Sequence, residues 1–294
     1  MSGRIVLFAQ RFPPAVGGTP TVLRNLLATF PADRLAVVTQ APMDKAETTE
    51  WHPDIPNVRV PQPYTLVKRF DPEGRLLGRG VTAAAKRLLA GSPPQAVLTV
   101  FPRHLFLRCG LAYAKKAGCP FVPYFMDTCA DAARTPRARR VAEALEQRVF
   151  EQANWIYALS DPLADHFRSK YPTADIRVLP HAVPPPWPAG DPPHPDQDCL
   201  CTASDRPRIV FTGQIHQSCL DAVHLLINAI EGMPPPRPLL VLSTPDPAHR
   251  LAAMNIRETE NVRLVFLPDA ASVAALQRRA DILFNPVTFH YSAE

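Results

Sequence analysis

Short, nearly unbroken apolar runs alternate with helix-periodic segments along the whole chain, and this alternation restricts the fold more than any other feature. Residues 5–8 form the first run, followed by 35–39, a weaker one at 57–60, then 96–100, 121–125, 155–159 and 176–179. Between them lie helical patterns. The first opens at Thr19 with Pro20 in its first turn, and places Leu23, Leu26, Leu27 and Phe30 at i, i+3, i+4 and i+7. Others are expected near 79–89, at 104–117 and at 139–152, the last with Val141, Leu145 and Val149 on its inner face. A further helix is expected from a cap at Asp161, with Pro162 at its first position and Leu163 and Phe167 inward. A strand covered on both faces shows no polar side, so unbroken strands separated by helices predict a doubly wound parallel sheet.

At residue 180 the composition changes. Eight prolines fall between Pro180 and Pro195, and a polar stretch continues to Arg206. Such chain is extended and semi-rigid, which reads as an interdomain crossing. The alternation then restarts, with strands at 209–211, 239–242, 262–266 and 282–284. The helices between them are expected at 220–230, 247–254 and 271–278. The organisation expected is therefore an N-terminal Rossmann-like domain over 1–183, a Pro-rich linker over 184–206, and a second Rossmann-like domain over 207–294. The 88 residues of that second part are fewer than the ~100 or more of a usual doubly wound domain. The sequence accordingly predicts that the second domain continues beyond Glu294.

Composition narrows the function. With 46% hydrophobic residues and 20% charged, the 294-residue chain is not of the disordered class and can bury two cores. A net charge of +5 suits contact with phosphates or an anionic membrane. No segment interleaves arginines with aromatic residues, so no nucleic-acid partner is expected. No run approaches the ~18 apolar residues of a membrane span. The apolar residues 5–9 stop at Gln10 and Arg11 without a cleavage site, which makes them a buried strand rather than a signal peptide. Six cysteines without a C-x-x-C pair read as reduced thiols of a cytoplasmic protein. Cys199-Leu200-Cys201 near His194 lacks ligand spacing, so no metal site is expected.

Phe12-Pro13-Pro14-Ala15-Val16-Gly17-Gly18 stands between the first strand and first helix. Backbone N–H groups at a helix start, with adjacent glycines, suit the approach of a diphosphate or a sugar hydroxyl; alternatively the glycines only make the turn. The spacing is not G-x-G-x-x-G, so no dinucleotide cofactor is expected. Four further segments follow in order: Ile156-Tyr157-Ala158-Leu159-Ser160, Val178-Leu179-Pro180-His181-Ala182-Val183, Val210-Phe211-Thr212-Gly213 and Ala280-Asp281-Ile282-Leu283-Phe284-Asn285-Pro286. Taken together, and over essentially the whole chain, these segments resemble the large retaining glycosyltransferase family four of the GT-B fold.

The resemblance implies transfer of a sugar from a nucleotide-sugar to a glycan or lipid-linked acceptor with retained configuration. The donor would lie on the C-terminal domain and the acceptor on the N-terminal one. Neither metal nor cofactor is implied, the nucleotide-sugar being a substrate. It places the catalytic role at Asp127 and ligand contacts at Gly17, Gly18, Ser160, His181, Gly213, Gln214 and Glu294. Asp127 is equally readable as a turn residue. The sequence also departs from the family. Tyr124 and Met126 stand where a histidine is expected, and His181 replaces an asparagine. Gln214, His216 and Gln217 follow Gly213 where an arginine and a lysine would clamp the diphosphate. These departures leave open a non-catalytic binding or scaffold protein of the same fold, or another chemistry such as a sugar-nucleotide epimerase. The run Arg134, Arg137, Arg139, Arg140 reads either as a solvated helix start or as contact with anionic lipid at the inner membrane face. Family analogy points to cell-envelope or surface polysaccharide assembly.

Overall fold

The computed structural model describes residues 3–15, 17–40, 54–60, 75–89, 92–101, 104–131, 135–182, 206–267 and 270–286. Arg134, residues 184–205 and Glu294 lie outside the described residues. The chain divides into two compact units, Met1–Val183 and Pro184–Glu294.

The first unit is a seven-stranded sheet built from β1 (Ile5–Ala9), β2 (Leu35–Gln40), β3 (Asn57–Val60), β4 (Ala96–Val100), β5 (Phe121–Phe125), β6 (Ile156–Ala158) and β7 (Ile176–Val178). Every pairing is parallel, in the order β3-β2-β1-β4-β5-β6-β7. Its helices are α1 (Gly18–Leu27), α2 (Arg75–Leu88), α3 (His104–Ala117), α4 (Pro136–Gln152) and α5 (Asp161–Lys170). The central strands are sealed on both faces, as their unbroken apolar runs require: Val6, Leu7, Phe8 and Ala9 are all fully buried. α2 to α5 cover one face through a core that includes Val81, Leu107, Val149 and Phe167. α1 covers the other through Val22, Leu23 and Leu27.

Three sequence expectations are corrected at helix ends and faces. α4 begins at Pro136, three residues early, because the Thr135 hydroxyl caps it by accepting the Ala138 N–H at 3.2 Å. α5 is capped by Ser160, whose hydroxyl accepts the Leu163 N–H at 3.4 Å; Asp161 is its first residue rather than its cap. Val141 is 49% exposed, since the buried stripe of α4 is Ala142, Leu145, Glu146 and Val149. A hydrophobic scan passes over a stripe that contains a carboxylate.

The second unit is a four-stranded parallel sheet of β8 (Arg208–Thr212), β9 (Leu239–Ser243), β10 (Val262–Val265) and β11 (Ile282–Leu283), ordered β10-β9-β8-β11. Its helices are α6 (Gln217–Gly232), α7 (Ala248–Ala253) and α8 (Ala270–Arg278). The order repeats the β3-β2-β1-β4 half of the first sheet. In both units the strand order therefore reverses beside the first strand, and open α/β sheets bind ligands at the carboxyl end of such a switch point.

Candidate functional site

The loop leaving β1 leads into α1 through Gly17, whose φ of 141° lies where side chains are strained. A Cβ there would also meet Arg11 Nη1 at 3.3 Å, whereas Gly18 is exposed with nothing within 4 Å of its added Cβ. The two glycines therefore differ: Gly17 makes the turn, and Gly18 leaves open space at the helix start. Gly17→Val is expected to cost about 1–3 kcal/mol of stability. Gly18→Val should stay within about 0.5 kcal/mol of the parent, measured by thermal melts of the two variants.

Asp127 follows β5 at the same carboxyl edge. It is exposed, and its Oδ1 accepts the Thr128 N–H at 2.8 Å, which folds the loop into a local turn. Ser160 follows β6 at that edge and is engaged in the α5 cap. His181 lies on a segment whose path was not legible in the sequence. After β7 the chain crosses the sheet face that α1 covers: the Tyr124 hydroxyl donates to the Leu179 carbonyl at 2.9 Å, and Asn25 of α1 donates to the Ala182 carbonyl at 3.1 Å. The segment carrying His181 is thus tied to α1 at Ala182. Partial desolvation lowers the His181 imidazole below the ordinary 6.5, so it is neutral at pH 7.

The loop carrying Asp127 is held from beneath by Glu146, which is fully buried. One carboxylate oxygen accepts from Lys170 Nζ at 2.5 Å and the Tyr171 hydroxyl at 2.8 Å, and the other accepts the Ala130 N–H at 3.0 Å. Asp131 meets His166 at 3.0 Å and Arg139 at 3.3 Å. Burial, and then the neighbouring Glu146, push the Cys129 thiol up to about 12, so it is an inert packing group.

In the second unit Gly213 takes the place that Gly17 holds in the first. It follows the first strand, has φ of 147°, and donates its N–H to the Ser243 carbonyl at 2.9 Å. The loop it opens is fastened to a residue that the sequence reading missed. Asp246, with a side chain only 1% exposed, accepts from the Ile215 N–H at 2.7 Å, the Thr244 hydroxyl at 2.9 Å and Gln214 Nε2 at 3.3 Å. Arg250 Nη1 pairs with the same carboxylate at 2.8 Å, and Nη2 reaches the Ile215 carbonyl at 3.4 Å. Gln214 is therefore a strut of this loop. The guanidinium is 43% exposed, with its other N–H groups unengaged among the described residues. The expected cation beside Gly213 is absent from the β8 loop, and the one present comes from α7, 37 positions later in the chain. Its only sequence signal was an Asp-x-x-x-Arg spacing, with Asp246 just ahead of α7 and Arg250 within it.

Solved structures share this two-sheet architecture. Sucrose-phosphate synthase from Thermosynechococcus elongatus superposes with a TM-score of 0.65 at 14% identity, over 97% of this chain and 77% of that one. HepE of Anabaena in complex with UDP-glucose gives 0.62 at 15%, over 95% and 72%. UDP-GlcNAc 2-epimerase from Methanocaldococcus jannaschii gives 0.55 at 11%, over 96% and 78%. At such identities these are likenesses of fold, and the fold is the GT-B one that the sequence led us to expect. No curated protein matches the sequence. The profile described as Glycosyltransferase Family 4, however, matches residues 16–186, more than half of the 294-residue chain. The chain belongs to glycosyltransferase family 4.

Proposed function

We propose that this protein transfers a sugar from a nucleotide-sugar donor to a glycan or lipid-linked acceptor, with retention of configuration. We take 1–183 as the acceptor-side domain, 184–206 as linker and 207–294 as the donor-side domain. The observation that carries the reading is the fastening of Arg250 by buried Asp246 at the carboxyl end of β8. A guanidinium held in place by a carboxylate keeps N–H groups ready for an oxyanion, and a phosphate is the oxyanion whose geometry it fits. Gly213 beside it allows close backbone approach. Support comes from the structures of similar fold, among them HepE with UDP-glucose and the starch synthase IV catalytic domain of Arabidopsis thaliana bound to ADP and acarbose. On the acceptor side, Asp127 would contact the reacting sugar, with Gly17, Gly18, Ser160 and His181 lining the approach.

A second reading, sugar-nucleotide epimerisation, is favoured by the likeness to the 2-epimerase and to a structure from Listeria monocytogenes described as a UDP-N-acetylglucosamine 2-epimerase. The two part on products: transfer releases a nucleoside diphosphate and a glycoside, epimerisation returns an isomer of the same nucleotide-sugar. Titration calorimetry with UDP and ADP tests the donor reading. One of them should bind, and Arg250→Gln should weaken it about tenfold, the loss of one charge-assisted hydrogen bond, with no change for the free nucleoside. Nucleotide binding that Arg250→Gln leaves intact would remove Arg250 from the site. Absence of any nucleotide binding would count against the whole reading.

A further inference from the structure

The loop after β8 uses most of its own donors inside the fold. The Gly213 N–H goes to the Ser243 carbonyl, the Ile215 N–H to Asp246, and the His216 N–H to Cys219 Sγ at 3.4 Å. Gln214 puts its side-chain amide on Asp246. A ligand arriving at this edge therefore cannot draw on the backbone N–H groups of residues 213, 215 and 216. Two side chains beside the loop keep polar hydrogens available. One is Arg250. The other is Thr212, the last residue of β8.

Gln277 of α8 donates from Nε2 to Thr212 Oγ1 at 2.7 Å, across 65 positions of sequence. A hydroxyl has one hydrogen and two lone pairs. With a lone pair taken by the amide, the hydrogen must point elsewhere. The Thr212 side chain makes no other hydrogen bond among the described residues, so that hydrogen has no acceptor there. The polarity of the pair matters. A tie between β8 and α8 could equally be made by the hydroxyl donating to the glutamine carbonyl, which would use up its hydrogen. Both side chains are half-buried, so the hydroxyl is held at the strand end rather than free in solvent. Gly213 follows it without a side chain, which lets a ligand come close to the backbone at this point.

We propose that the Thr212 hydroxyl donates a hydrogen bond to a phosphate oxygen of the ligand at the β8 loop, and that Gln277 is the positioning residue that turns it outward. The inference rests on the reading of this loop as the nucleotide-sugar side of the protein, and adds a second donor to Arg250. The two donors reach the carboxyl edge from opposite faces of the sheet. Leu251, next to Arg250, packs in the cluster of Ile209 and Phe211, whereas Leu276, next to Gln277, packs with Val210. They also differ in kind. The guanidinium balances the charge of a phosphate, while a neutral hydroxyl with a fixed partner selects where an oxygen sits.

The test is titration calorimetry of the full chain with UDP, ADP and inorganic pyrophosphate. Thr212→Val keeps the shape of the side chain and should weaken whichever probe the parent binds by about tenfold, the loss of one hydrogen bond to a charged acceptor. Thr212→Ser returns the hydroxyl and should stay within about threefold of the parent, which separates loss of the donor from loss of folding. Gln277→Leu should weaken binding by about threefold, and by nothing further in a chain already carrying Thr212→Val, because its effect passes through that hydroxyl. Undiminished binding by Thr212→Val, equal loss in Thr212→Ser, or an effect of Gln277→Leu that persists beside Thr212→Val would each overturn the proposal. If Arg250→Gln weakens binding and Thr212→Val does not, the donor reading stands and this inference alone falls. A parent that binds none of the three probes removes both.

Discussion

Asp246→Ala is expected to destabilise the second unit by about 3 kcal/mol and to weaken the nucleotide binding proposed for it in step. The carboxylate takes four donors from three segments: the loop after β8, Thr244 after β9, and Arg250 of α7. Removing it strands the Ile215 N–H and the Thr244 hydroxyl in a buried setting, at about 1–3 kcal/mol each before relaxation. Arg250 loses its anchor but is exposed enough to find water, which keeps the total near the lower end of the usual range for a broken buried pair. For a unit of this size the melt should shift by roughly 10–20 °C. Asp246→Asn, which retains an acceptor for Ile215 but not the charge on Arg250, should fall between parent and alanine variant. Amide exchange at Ile215 gives the local readout. An unshifted melt with Ile215 still protected would show that the loop is held by something other than this carboxylate.

In the first unit the corresponding expectation is that Glu146→Ala costs about 3 kcal/mol and frees the loop that carries Asp127. Glu146 is fully buried beneath that loop and accepts from Lys170, Tyr171 and the Ala130 N–H. Lys170 is 31% exposed and can swing to solvent, so most of the cost comes from the phenol and the amide left without an acceptor. The same change removes one of the negative charges that raise the Cys129 thiol, so its pKa should fall from about 12. Glu146→Gln should recover part of the stability by restoring an acceptor. Denaturant midpoints for both variants, with amide exchange at Ala130, decide the matter. Fast exchange at Ala130 in the parent would already speak against a held loop.

Much of the architecture was legible because a buried parallel strand is recognisable by its unbroken apolar run. Each expected run corresponds to an observed strand, with ends shifting by a residue or two. At 262–266 the expected strand ends one residue early and Phe266 is 68% exposed, since an apolar residue beyond the last ladder bond gains no cover from the sheet. α2 begins at Arg75 rather than near 79, where glycines at 78 and 80 obscured the helical period. Gly17 and Gly213 were legible as special positions, and both take a positive φ.

The individual site residues were less legible. The role of Ser160 as a cap, and of Gln214 as a strut, depends on a donor or acceptor that the sequence does not rank above its neighbours. Asp246 and Glu146 were invisible for the same reason: a carboxylate in the sequence looks solvated, and only burial with three or four donors makes it a hub. Two doubly wound parallel sheets, their strands, and the loops after β1 and β8 could be read from local pattern, because periodicity and glycine chemistry are local. Only the folded chain brings Arg250 to Asp246 and the Ile215 carbonyl, and carries the segment after β7 back to α1. The last two of these pairings join residues tens of positions apart, and they are set by the folding of strands into sheets and helices onto them, which no local pattern encodes.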